Sequence, residues 1–168
     1  MPRDTSLPLR AHRFVADVAE RLSWLPLTLT RVALGVVFVQ SGWGKLHDLP
    51  NVVEFFRGLG VPAPELQAPF VAGLELVGGG LLLAGLFTRV VSVPLAVAMV
   101  VAIATARRAD VASLSDLFGL PELLYVLLFG TLAAFGAGPL SLDRLLVRLT
   151  VGREPEEGAA ALPALGVR

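Results

Sequence analysis

The chain contains no cysteine. That excludes disulfides, thiol redox chemistry, cysteine-ligated iron–sulfur clusters and covalently attached c-type haem. Histidine is almost as scarce. His12 and His47 are the two present, and both lie outside the apolar runs, which argues against a bis-histidine haem within a bilayer. No metal-ligand or flavin motif forms, and no cofactor is expected to be bound covalently. Any electrons this chain handles must travel on a diffusible carrier or on a partner protein. Charge is thin as well: 17% of residues are charged and the net charge is zero, against about 25% charged in an ordinary soluble domain. No overall field draws the chain to nucleic acid.

What is present is apolar sequence: 55% of the 168 residues are hydrophobic. It is gathered into long windows, while the charge concentrates in segments such as Pro2 to Arg21 and Arg144 to Glu157. A bilayer core of roughly 30 Å takes about 20 helical residues. Four runs meet that requirement, at residues 27–44, 69–87, 90–106 and 120–138. They are too long for barrel strands and do not alternate. The expected fold is all-α, an integral membrane four-helix bundle spanning residues 27–146. Thr88-Arg89 leaves almost no loop between the second and third runs, so these form a tight antiparallel hairpin.

Residues 1–26 carry four arginines and no apolar run near the start, so they read as an amphipathic N-terminal segment rather than a cleavable signal. From Arg10 to Leu25, Phe14, Val15, Val18 and Leu22 share one helical face, which suits either a helix on the membrane surface or a solvated lead-in. Asn51 to Leu59 is expected to form a short interfacial helix. Residues 147–168 read as a flexible tail rich in Glu, Ala, Gly and Pro. With both termini in the cytoplasm, ten of the fourteen basic residues fall on the inner side and Lys45, Arg57, Arg107 and Arg108 on the outer. The positive-inside rule favours that orientation.

Small residues let helices approach closely in lipid. Gly35 and Gly42, then Gly78-Gly79-Gly80, Ala98/Ala102/Ala106 and Gly130/Ala134/Gly138 place such a stripe on each run. Arg31, Gly35, Phe38, Gly42 and Lys45 follow helical spacing and form one face, charged at both ends. Gln40, Lys45, His47, Glu75, Glu122 and Tyr125 all fall toward the outer half. Glu75 lies about 9 Å inside the second run at 1.5 Å per residue. A charge at that depth needs an interior partner, and Lys45 is the expected one, with Gln40 or Tyr125 as a further hydrogen-bond partner. A structural ion pair and a proton or ligand site both fit Glu75. At the inner surface Arg31 and Asp143 are expected to pair and tie the first helix to the last.

Several segments together resemble the DoxX family. They are Arg31-x-x-x-Gly35 with Ser41-Gly42-Trp43-Gly44-Lys45-Leu46, then Leu74-Glu75-Leu76-Val77-Gly78-Gly79 with Gly85-Leu86-Phe87-Thr88-Arg89, and Gly136-Ala137-Gly138-Pro139-Leu140-Ser141-Leu142-Asp143. Their order and spacing carry the likeness, over about Thr30 to Arg144. The resemblance implies a multi-pass bacterial plasma-membrane protein. Its relatives are linked to thiosulfate:quinone oxidoreduction, to oxidative-stress complexes with redox enzymes, or to quinone resistance. Three functions follow: a membrane subunit or accessory of a quinone-linked oxidoreductase, a non-catalytic scaffold for partner proteins, or a small-solute or proton pathway. The partners implied are the lipid bilayer, a quinone, and soluble or membrane redox proteins.

The charge bias generates a direct test. Reporter fusions after Arg13 and after Arg153 are expected to signal cytoplasm, and one after Pro64 the outside. A periplasmic signal from either terminus reverses the orientation.

Overall fold

A computed structural model describes residues 22–138 and 140–151, together with Asp17 and Glu20. The amphipathic reading of Arg10 to Leu25 falls largely outside the described residues; of the flexible tail expected at 147–168, residues 147–151 instead close the helix Leu142–Val151, and the rest lies outside the described residues. Every regular element among the described residues is helical. The helices are α1 (Leu25–His47), α2 (Leu49–Gly58), α3 (Pro64–Ala84), α4 (Thr88–Thr105), α5 (Leu114–Gly119), α6 (Pro121–Phe135) and α7 (Leu142–Val151), with a short 3-10 turn at Arg108–Asp110.

Three helices, α1, α3 and α4, are long and apolar enough to cross a membrane. At 1.5 Å per residue they rise about 34, 31 and 27 Å. The fourth apolar helix, α6, has 15 residues and rises about 22 Å. It is shorter than residues 120–138 predicted because the chain leaves helical geometry at Gly136, which has φ +84°. The third helix of the chain begins five residues ahead of the predicted second run. Pro64 occupies its first turn, where a missing N–H costs nothing. Pro69 then removes a single helical bond close to the helix end.

α1 makes its most extensive contacts with α3, and α4 with α6; the α3–α4 hairpin joins the two pairs. Leu34 and Phe38 of α1, Leu82 of α3, Leu95 and Met99 of α4, and Phe129 and Leu132 of α6 form one buried cluster. Phe38 meets Phe129 and Tyr125 edge-on, at centroid distances of 4.9 and 5.6 Å, a geometry that aligns ring edges with ring faces. The opposite helix faces expose Val36, Val77, Val90, Val97 and Leu127, as lipid contact requires.

The α1–α3 contact is a backbone contact. A Cβ placed on Gly42 would stand 2.4 Å from the Leu76 nitrogen and 2.7 Å from the Ala72 oxygen, and one on Gly79 would stand 2.6 Å from the Val39 nitrogen. The glycine stripes of the first two predicted spans therefore face each other. The others do not behave alike. Gly130 meets nothing within 4 Å and Ala134 is exposed, so the helical part of that stripe faces away from the protein, while Gly138, beyond the helix, lies against Thr28.

Gly42→Ala is expected to lower stability by about 1–3 kcal/mol, because the group in the way is main chain and cannot rotate aside. Gly80→Ala meets open space and is expected to leave the melting temperature unchanged or slightly raised. Thermal unfolding of the detergent-solubilised protein compares the two.

Candidate functional site

The close α1–α3 approach sets the polar site. Gly42 sits against the backbone of Ala72 and Leu76, the residues that bracket Glu75 by one turn and one position. Lys45, three residues beyond Gly42, is thereby carried over Glu75. Its ammonium group donates to both carboxylate oxygens at 2.5 Å. Glu75 is 1% exposed, while the Lys45 side chain keeps 30% of its surface. Glu75 is the one carboxylate among the buried polar residues described. A carboxylate so enclosed is stable as an anion only because a cation and its hydrogen bonds accompany it.

The other candidates go elsewhere. Gln40 is exposed. Tyr125 packs its ring against Phe38. His47 lies against Trp43, with ring centroids 4.4 Å apart, and its Nδ1 engages the Trp43 carbonyl at 3.0 Å. Glu122 accepts from Arg107 Nε at 2.8 Å. Hydrogen bonds from Arg107 to Glu122 and then Asp110 hold its guanidinium pKa above the ordinary arginine value. Glu75 thus meets Lys45 alone of the other five, and the expected further bond from Gln40 or Tyr125 does not form. Helical phase explains Gln40: two residues past Phe38, it points away from the buried face.

Lys45 and Glu75 border a groove of about 780 Å³. Its walls come from α2 (Val52, Phe55, Phe56), α3 (Phe70, Val71, Leu74) and α4 (Val97, Ala98, Ala102), with Ala106 just past the end of α4. The alanine stripe of α4, expected to seat another helix, instead lines this space. The four-residue spacing marked a smooth face but not what lies against it. α2 was legible as a short helix, and its strong amphipathicity was the available sign that its apolar side covers something.

At the opposite end, Arg31 and Asp143 make no direct salt bridge, although the Asp143 charge acts on Arg31. Arg31 is 4% exposed and donates from Nη2 to the Leu140 carbonyl at 2.7 Å. Asp143 spends its oxygens on main-chain donors: Oδ1 accepts from Phe87 N at 2.8 Å and Oδ2 from Thr88 N at 3.3 Å. Its own N–H donates to Gly85 O at 3.0 Å. The reason is the hairpin turn. Gly85 at φ +68° ends α3, Phe87 at φ +52° starts α4, and a non-glycine residue in that left-handed region costs about 1–2 kcal/mol. The start of α4 also exposes unpaired N–H groups and a positive dipole end, which a carboxylate satisfies. Both residues still tie the last helix to the bundle, each through the backbone.

Asp143→Ala is expected to cost about 1.5–3 kcal/mol, the range for hydrogen bonds to a charged group, with Asp143→Asn in between. Lys45→Met is expected to cost about 3 kcal/mol or more by stranding a buried carboxylate. Adding Glu75→Gln to it should restore much of that loss. Thermal unfolding of all four variants checks both expectations.

The DoxX family model matches residues 26–108, which include α1, the groove, the hairpin and Glu75. The Bacillus subtilis (strain 168) protein named "Putative oxidoreductase CatD" is 33% identical over 117 residues, covering 68% of this chain and 82% of that protein. Inner membrane protein YqjF of Escherichia coli (strain K12) is 29% identical over 70 residues, 42% of this chain and 52% of that protein. Inner membrane protein YphA of the same strain is 32% identical over 71 residues, 42% of this chain and 48% of that protein. No solved structure gives a significant match. The family-model match and the coverage of the Bacillus subtilis relative place the chain in the DoxX family of membrane proteins.

Proposed function

We propose that this protein is a bacterial inner-membrane subunit or accessory of a quinone-linked oxidoreductase or oxidative-stress complex, and that a quinone head group binds in the groove beside Lys45 and Glu75. The observation that carries the reading is the junction of a buried ion pair with an apolar hollow open at the side of the helices. A quinone needs flat apolar walls for its ring, a lipid-facing exit for its tail and hydrogen-bonding groups at its oxygens. Phe55, Phe56 and the Ala98/Ala102 face of α4 supply the first. Lys45 supplies a donor, and Glu75 a carboxylate able to take up or release a proton.

Reduction of a quinone to a quinol consumes two electrons and two protons. The chain holds no cysteine, and its own residues offer no electron source, so a partner redox protein must deliver the electrons. The part left to this chain is to bind the ring and handle a proton at Glu75, a general acid–base role. The word oxidoreductase in the name of the Bacillus subtilis relative and the inner-membrane names of the Escherichia coli relatives point the same way.

The same proposal includes a fourth crossing by α6, with both termini cytoplasmic. The helical rise of about 22 Å is extended by the non-helical Gly136-Ala137-Gly138, roughly 10 Å at strand-like spacing. Together they approach the 30 Å of a bilayer core.

Protein purified from its native membranes is expected to carry quinone in its lipid extract. Ala102→Leu, which fills the groove, should remove that quinone without changing the melting temperature by more than a few degrees. Glu75→Gln should retain quinone but slow any partner-driven reduction, because an amide cannot titrate. Co-purifying partners with no quinone, and no binding of an added short-chain quinone, would instead favour a scaffold.

A further inference from the structure

At the end of the bundle remote from Lys45, a second hollow lies between the last turn of α3 and the start of α7. It measures about 400 Å³ and is bordered by Arg31, Arg144, Leu83, Leu142 and Leu145. Two arginines thus line it, and the Arg31 guanidinium is buried beneath, its Nη1 packed against Gly85. Arg31 is 4% exposed. Its Nη2 is used on Leu140, but its Nε and Nη1 have no hydrogen-bond partner among the described residues. Leaving such donors buried and unmatched is costly. The one carboxylate of this junction, Asp143, has both oxygens committed to Phe87 and Thr88. The Ser141 hydroxyl is also committed, donating to Gly138 O and accepting from Arg144 N. The hollow is therefore lined by two arginines, with Asp143 as the one carboxylate nearby, bonded to the main chain and acting on Arg31 through its charge.

The surroundings decide what kind of anion fits. Leu83 belongs to a helix long enough to span a membrane. Leu140, Leu142 and Leu145 are all exposed, at 60%, 44% and 50%. α7 is strongly amphipathic, the character of a helix lying in the plane of the lipid headgroups. A free phosphate would gain nothing from that apolar rim, whereas a lipid has acyl chains to lay on it.

We propose that this hollow binds the phosphate of an anionic membrane lipid, with Arg144 contacting the headgroup at the mouth, the buried charge of Arg31 beneath it, and the acyl chains lying along Leu83, Leu142 and Leu145. Planar guanidinium groups match phosphate oxygens in both charge and geometry. The bound lipid would brace α7 against α3 at the point where Asp143 and Leu140 already hold the connection. The proposal is independent of the quinone reading, since the two hollows share no residue.

The test uses the full chain in mild detergent, titrated with phosphatidylglycerol or phosphatidylcholine and read by native mass spectrometry and thermal unfolding. Phosphatidylglycerol is expected to be retained preferentially and to raise the melting temperature. Arg144→Gln should cut that preference about fivefold, the loss expected for one basic residue near an anionic surface, with an unchanged circular dichroism spectrum. Arg108→Gln, an exposed arginine at the other end, should leave it intact. Arg31 is spared because it anchors Leu140. Equal retention of both lipids overturns the proposal, as does an equal effect of the Arg144 and Arg108 changes. If inorganic phosphate alone displaces phosphatidylglycerol and reproduces the thermal shift, the site takes free phosphate and the lipid assignment fails.

Discussion

Two helix backbones can touch only where side chains are absent, and in this protein that contact is made by Gly42 and Gly79. The Lys45–Glu75 ion pair depends on it. With α1 pressed directly onto α3, the lysine one turn past Gly42 has no course except over Glu75. The glycine is thus a positioning device for an ion pair three residues away. A wider spacing would leave Glu75 buried without its cation. In a medium of low dielectric constant that state costs several kcal/mol, so close packing and charge neutralisation support each other.

The two ends of the bundle solve the same problem by different means. At the Lys45 end a charge is matched by a charge. At the Arg31 end each charge is matched mainly by backbone: Arg31 by a carbonyl, Asp143 by two N–H groups at the start of α4. A direct Arg31–Asp143 bridge would have left the tight turn at Gly85 to Thr88 with unpaired donors. The capping arrangement removes that penalty and still joins the α6–α7 connection to both α1 and the hairpin. Gly85 serves this junction doubly. Its φ of +68° closes the turn, and a Cβ there would collide with Arg31 Nη1, at 1.5 Å.

The groove beside Glu75 owes its volume to what α4 lacks. Ala98, Ala102 and Ala106 present a wall with almost no side chain, and α2, which packs on α3, faces it across the groove. The same small-residue pattern closes the contact between α1 and α3 and opens a cavity between α2 and α4. The difference is the length and path of the covering element. α2 has ten residues and cannot reach down the whole face of α4.

Much of this was legible in the amino-acid order. Hydrophobic runs of bilayer length imply helices, because backbone groups in lipid must bond within their own segment. Glycine at Gly35 and Gly42, in step with Arg31 and Lys45, marked the buried face of α1. Glu75 stood out because a charge six residues inside such a run demands a partner, and Lys45 was in reach. What the order of residues left open was decided by tertiary geometry. Gln40, His47 and Tyr125 lie at the right depth but at other helical phases or with nearer partners. Depth is read along one chain, while azimuth depends on how each helix is rotated against its neighbours. Asp143 shows the limit most clearly. Its charge suggested Arg31, but its oxygens went to Phe87 and Thr88, whose need for a cap exists only once the chain has turned at Gly85.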